Sequence, residues 1–308
     1  MRALACLLLA SSALACAPAF ALNILLSNDD GYTHPNIRVL YTTLKAAGHQ
    51  VRIAAPQSEQ SARGGAFFYG REVSIGRDSD PAYPDSYYLA THETGVCQSP
   101  ACAGQTVSIE ISATPVMAVL MGLNKVMPDP DLVIVGPNPG NNLGAINLAS
   151  GTFNAASAAL RAGVPALAVS TDLKDQDAQR TAQRVLRLVQ ALEQHRHPGA
   201  RLLPQGLGLN VNLPAGDIQG ARLTRIGRYV GFEALYTDDL AGLDPALAGK
   251  PGIGFRRSPP PRADEQDDEA VWLAKGYMTL SPFNGLLQST RPNPDLQALA
   301  ARAQGGTP

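Results

Sequence analysis

Asn23-Ile24-Leu25-Leu26-Ser27-Asn28-Asp29-Asp30-Gly31 is the stretch on which the fold turns. Its first residues form a short, nearly unbroken apolar run, the pattern of a strand buried on both faces. Asn28 to Gly31 has the composition of a turn. From Asn36 onward, Ile37, Leu40, Leu44 and Ala47 recur on one face of a helix, and Gly48 stops it. Val51-Arg52-Ile53-Ala54-Ala55 is a second buried strand, ended by Pro56. Strand, helix, strand in this order makes a β-α-β unit, whose strands lie parallel with a right-handed crossover.

The alternation continues along the chain. Thr114-Pro115 opens a helix running to about Val126, with proline in its first turn. Leu132-Val133-Ile134-Val135 is a third strand, followed by a Gly/Asn-rich loop to Gly151 and a helix from Thr152 to Ala162. Ala166-Leu167-Ala168-Val169-Ser170 is a fourth strand. Ala178, Ala182, Val185, Val189 and Leu192 mark another amphipathic helix, and Leu209-Asn210-Val211-Asn212-Leu213 a fifth strand. The pattern predicts an α/β domain over residues 22–215: a Rossmann-like, doubly wound, mostly parallel sheet. Residues 57–112 read as inserted hairpins and loops, with β-like runs at Ala66 to Tyr69 and Tyr87 to Leu89. Residues 216–295 read as a C-terminal β-rich extension. Within it Arg262 to Glu269 is polar and acidic, and Val271 to Leu280 is expected to be a strand. Residues 296–308 read as a terminal helix and loose tail.

The N-terminus carries targeting information. Arg2 precedes an apolar Ala/Leu-rich stretch, Ala3 to Ala17, and Ala19-Phe20-Ala21 offers the small residues that signal peptidase reads. Residues 1–21 are therefore expected to be a secretory signal cleaved after Ala21, which sends the protein to the periplasm or the medium. Leu14-Ala15-Cys16 leaves a second possibility, a lipid anchor on Cys16. The apolar run is shorter than the about 20 residues a bilayer span needs, so no membrane span is expected. The formal net charge of -1 creates no field that would favour a nucleic acid polymer or an anionic membrane. Cys97 and Cys102 close a short loop and, in an oxidising compartment, are expected to form a disulfide. The alternative is a metal site with His92, which falls short of the four ligands zinc takes.

In open α/β sheets, ligands bind beyond the carboxyl ends of the strands. Three such ends carry unusual polar chemistry here. Asp29 and Asp30 follow the first strand. Adjacent carboxylates repel, desolvation adds to the cost, and a hard divalent cation relieves both; the alternative is a solvated turn. The loop after the second strand brings Ser61, a further oxygen donor or simply a polar loop residue. Gly136-Pro137-Asn138-Pro139-Gly140-Asn141-Asn142-Leu143-Gly144, then Ser150-Gly151-Thr152, sets glycines and a helix start in order. That is a setting for an anion, from free amides and the helix dipole, or a simple cap. No Walker sequence and no Gly-x-Ser-x-Gly elbow occurs. His34 is near enough to the acids to give up a proton to a leaving group, or is a plain loop histidine.

These segments together resemble the SurE (survival protein E) family of 5′/3′-nucleotidases. The resemblance rests on Asn23 to Tyr32, on Gly48-His49 through Pro56 and Ser61, and on Pro130 to Gly144 with Ser150-Gly151-Thr152. Asn210-Val211-Asn212-Leu213-Pro214 and Gly276 to Pro282 add to it. It implies one divalent cation, Mg2+ or Mn2+, held by Asp29, Asp30, Ser61 and Asn138. It implies phosphate contacts at Asn142, Gly151 and Thr152, and catalytic roles for Asp29, Asp30 and Asn142. It implies a small-molecule phosphomonoester substrate, nucleoside monophosphates first and other phosphate esters after them. It also implies a homodimer or homotetramer built through the C-terminal extension. Val135, Pro137 and Arg161 stand where the family carries serine, isoleucine and glutamate. They motivate one alternative: an exported nucleotide-binding or scaffold protein that keeps the shape of the site with little turnover.

Overall fold

The computed structural model describes residues 21–175 and 177–285. The signal segment through Phe20, Cys16 within it, and the expected terminal helix lie outside the described residues. Elements follow the order β1 (Asn23–Ser27), α1 (Pro35–Ala46), β2 (Gln50–Pro56), β3 (Val73–Arg77), β4 (Ser86–Val96) and β5 (Thr106–Ser112). Then come α2 (Pro115–Met121), β6 (Leu132–Pro139), α3 (Gly151–Arg161), β7 (Ala166–Thr171), α4 (Ala178–His195) and β8 (Gly208–Leu213). The rest is β9 (Ala221–Leu223), β10 (Phe232–Thr237), β11 (Gly252–Arg257), α5 (Glu269–Ala274) and β12 (Met278–Phe283).

One sheet runs in the order β3-β4-β2-β1-β6-β7-β8-β12-β9, with β5 paired to β4. From β4 to β8 all neighbours are parallel. The fold is α/β, as the repeating strand-helix pattern requires. Its strands are buried on both faces because helices cover both. α1 and α4 pack on one side over Ile24, Leu26, Ile53 and Ile134. α2 and α3 pack on the other over Leu25, Val133 and Val135. Burial of each such side chain contributes about 1.5–3 kcal/mol.

Strand order reverses between β1 and β6. The chain moves outward from β1 to β2 and β4, then returns to β6 on the other side and proceeds to β7 and β8. Such a switch point opens a crevice at the carboxyl ends of the two central strands. Asp29 and Asp30 follow one of them, and Asn138 sits near the end of the other.

Several local readings differ from the structure. Ala66 to Tyr69 forms no strand: it is irregular and runs into a turn at Tyr69, and Phe67 packs against Tyr69 with ring centroids 4.4 Å apart. Val271 to Leu280 is split, its first part belonging to α5 and its last to β12. A short apolar run cannot fix its own period, and here Ala270 and Ala274 favour helix until Gly276 breaks it. Helix α2 continues past Met121 in a single wide turn to Val126, where the Met127 amide donates to Gly122 O at 2.8 Å. Cys97 and Cys102 are bonded to each other. Beyond residue 215, β9 and β12 join the main sheet, while β10 and β11 form a separate hairpin exposing Tyr236, Ile253 and Phe255.

Candidate active site

The site begins where β1 stops. Asn28 turns the chain by donating from its side-chain amide to Gly31 O at 2.9 Å, and Gly31 takes the left-handed φ of 99°. A β-carbon at residue 31 would stand 3.2 Å from the Ser58 backbone, so glycine also permits the loop after β2 to close over the turn. Between these residues lie the two acids. Asp29 is buried and accepts the Thr152 hydroxyl at 2.6 Å. Thr152 is in the first turn of α3, and Ser150 caps that helix by accepting from the Phe153 amide. Gly151 packs so closely that a β-carbon there would come within 2.8 Å of Asp29 Cβ and Oδ2. The helix start and Asp29 are therefore one unit.

Asp30 differs from Asp29 in having less support. Its Oδ2 is buried and has no hydrogen-bond partner among the described residues. Burial, then the charge of Asp29, then that of Glu59, push its carboxyl up to about 8. Burial also raises Asp29, against the pull of the Thr152 hydroxyl. Two carboxylates this poorly solvated are stable as anions only beside positive charge.

The neutral candidates arrive from two loops. The Gln60 amide donates to Asp29 O at 2.7 Å and fastens the loop after β2 to the acidic turn. The Gly64 amide donates to Ala149 O and fastens the same loop to the approach to α3. Ser61 lies between these two anchors and is exposed, its own amide donating to the Glu59 carboxylate at 2.5 Å. Asn138 is half-buried at the end of β6, whose Val135 pairs with Ser27 of β1. Its side-chain nitrogen is committed to Gly140 O at 2.6 Å, so its oxygen is the atom left to meet a cation. Among the described residues no group of three or more His, Cys, Asp and Glu is arranged to hold a metal. A cation here would draw on the two acids and neutral oxygens.

Asn142 stands apart from the acids and inside a separate network. Its amide donates to Asn212 Oδ1 at 2.9 Å, and its carbonyl accepts from the side-chain amides of Asn210 and Asn212, both at 2.9 Å. Its own side-chain nitrogen donates to Ser170 Oγ at 3.0 Å, which leaves one N–H for a ligand. His34 caps α1, its Nδ1 accepting from the Asn36 amide at 3.3 Å, and burial pushes its pKa down. Glu59 was not visible in the sequence as a member of the site, since a glutamate in a polar loop carries no signal of its own. Ser170, Asn210 and Asn212 did carry one. They are polar residues on strands buried from end to end, and such groups require partners.

The acidic turn and the helix start thus meet at the end of β1, Asn138 lies at the end of the neighbouring strand β6, and Asn142 is held in its own network against β7 and β8. The family model described as Survival protein SurE matches residues 24–231. The chain is 31% identical over 266 residues to 5′-nucleotidase SurE 1 of Thermus thermophilus, covering 85% of this chain and 92% of that one. It is 34% identical over 268 residues to 5′/3′-nucleotidase SurE of Yersinia enterocolitica, covering 85% of this chain and 91% of that one. The crystal structure of the SurE protein from Aquifex aeolicus superposes with a TM-score of 0.67 at 22% identity, over 91% of this chain and 99% of that one, and shares its fold. The length of the family match and the identities across most of each relative place this chain in the SurE family.

Proposed function

We propose that the protein is an exported, divalent-cation-dependent phosphomonoesterase that hydrolyses nucleoside monophosphates. The observation that carries this reading is the buried, partnerless Asp30 Oδ2 beside Asp29. An acid pair in that state fits a cation site, and a cation site beside a helix start fits a phosphate. The names of the relatives, 5′-nucleotidase and 5′/3′-nucleotidase, support a phosphoric monoester hydrolase. Asp29, Asp30, Ser61 and Asn138 would hold the ion. When bound, it supplies positive charge against the phosphate and lowers the pKa of water at the site. Asn142 and the amides at Gly151 and Thr152 then orient the phosphate and meet the charge that builds on its outer oxygens. Thr152 holds Asp29 in place through its hydrogen bond and favours its charged form against burial. Asp30, once its charge is balanced, would be the group that accepts a proton.

Export is supported by two features. Leu22 is the first buried residue after the expected cleavage point, and the disulfide suits an oxidising compartment. One experiment covers both parts of the proposal. The protein recovered from the periplasm or medium should begin at Leu22 and release phosphate from nucleoside monophosphates with Mn2+, and lose that activity on chelation. Tight nucleotide binding without phosphate release would favour a binding protein instead.

A further inference from the structure

Glu269 lies beyond the residues matched by the family model, at the end of a stretch that looks like a solvated acidic loop. In the structure it is fully buried. No cation is paired with it among the described ion pairs, yet three donors converge on it. Its Oε1 accepts the Gly144 amide at 2.9 Å, and its Oε2 accepts Asn210 Nδ2 at 3.0 Å and Ser281 Oγ at 2.7 Å. The same Asn210 Nδ2 also donates to Asn142 O at 2.9 Å. Its two hydrogens are thus shared between the acid and the Asn142 carbonyl. Asp268 next to it accepts from Arg225 Nε and from the amides of Arg228 and Tyr229, which fixes where Glu269 enters.

We propose that Glu269 is a positioning residue for substrate phosphate: it locks the loop from Asn142 to Gly144 at both ends, through Asn210 and directly. This rests on the reading of Asn142 as a phosphate contact. A carboxylate is required because all that it meets on the loop side are donors. Glutamine would aim its amide hydrogens either at the Gly144 N–H or at Asn210 Nδ2. Turning the Asn210 amide to accept would remove one of the two donors to Asn142 O and leave only Asn212. A buried donor left unpaired is costly, and the loop, the less supported element, is what would move.

The test uses the full mature chain with Mn2+, p-nitrophenyl phosphate as substrate and inorganic phosphate as inhibitor. Glu269→Gln should weaken phosphate inhibition and kcat/KM roughly tenfold or more, the scale of one lost buried hydrogen bond. Its Mn2+ affinity should stay within about twofold, since the acids on β1 are not part of this network. If Glu269→Gln does not fold, Asn210→Ala cuts the same link while keeping the carboxylate and its Gly144 and Ser281 donors, and should show the same phosphate-selective loss. Unchanged phosphate inhibition in the folded Glu269 or Asn210 variant overturns the proposal. So does an equal loss of phosphate and Mn2+ affinity. Wild-type protein that neither hydrolyses the ester nor binds phosphate would overturn the functional reading together with this one.

Discussion

Replacing Asp30 with asparagine should abolish phosphate release, lowering kcat/KM at least about 1,000-fold, or ~4 kcal/mol of transition-state stabilisation. The same change should leave the fold intact and raise the thermal midpoint of the metal-free protein. Both halves follow from the surroundings of one atom. Asp30 Oδ2 is buried without a partner, beside the buried Asp29 and within the field of Glu59. Asparagine spares the metal-free protein both the strained charge and the proton uptake that replaces it, and removes a ligand from the loaded one. A residue with a merely structural role would behave the other way, losing stability and activity together. Near-normal hydrolysis by the variant would take Asp30 out of the mechanism. The check is a side-by-side measurement of phosphate release and of the unfolding midpoint after chelation.

The second large effect is on stability against pH. With the folded Asp30 carboxyl raised from 3.8 to about 8, the folded protein holds a proton that the unfolded chain has lost throughout this window. Stability then falls as pH rises, by up to about 1.4 kcal/mol per pH unit for each such proton. The contribution is fully present below pH 3.8 and gone above about 8. Burial of Asp29 and Glu269 acts in the same direction. Burial of His34 and His49 depresses their pKa values and acts against it. The difference between wild type and Asp30→Asn isolates the Asp30 share. In the metal-free state the variant's advantage should widen from about pH 5 to about pH 8 by several kcal/mol. Mn2+ should erase that advantage, because a bound cation favours the ionised pair. Thermal unfolding at both pH values, with chelator and with Mn2+, reads all four states. A constant gap would mean that Asp30 is not the strained acid described here.

What could be read from the sequence, and what could not, follows from the range of the interactions. Ile24 to Ser27 and Leu132 to Val135 announce buried parallel strands because both faces are covered, so their apolar runs are all but unbroken. The α4 helix announces itself through Ala182, Val185 and Val189, a face long enough to fix the period. The α5 helix does not, since six residues are too few. In the site, Asp29 and Asp30 were legible because two acids at a strand end are unusual on local grounds. Thr152 becomes the partner of Asp29 only through a contact spanning 123 residues. The Glu269 link to Gly144 spans 125, and nothing local distinguishes that glutamate, or buried Asp268 beside it, from the exposed Asp264 and Asp267. Asn210 and Asn212 were the available clue, two amides on a strand that shows no exposed residue.

The central claim is that Asp29, Asp30, Ser61 and Asn138 grip one divalent ion at the β1–β6 crevice. Diffraction from crystals grown with Mn2+, recorded for its anomalous signal, tests it most directly. The predicted result is one strong peak about 2.0–2.6 Å from oxygens of both acids, the distance range of hard cations, with Ser61 and Asn138 completing the shell. A site without a peak at saturating Mn2+, or a peak bound elsewhere with Asp30 still unpaired, would contradict it.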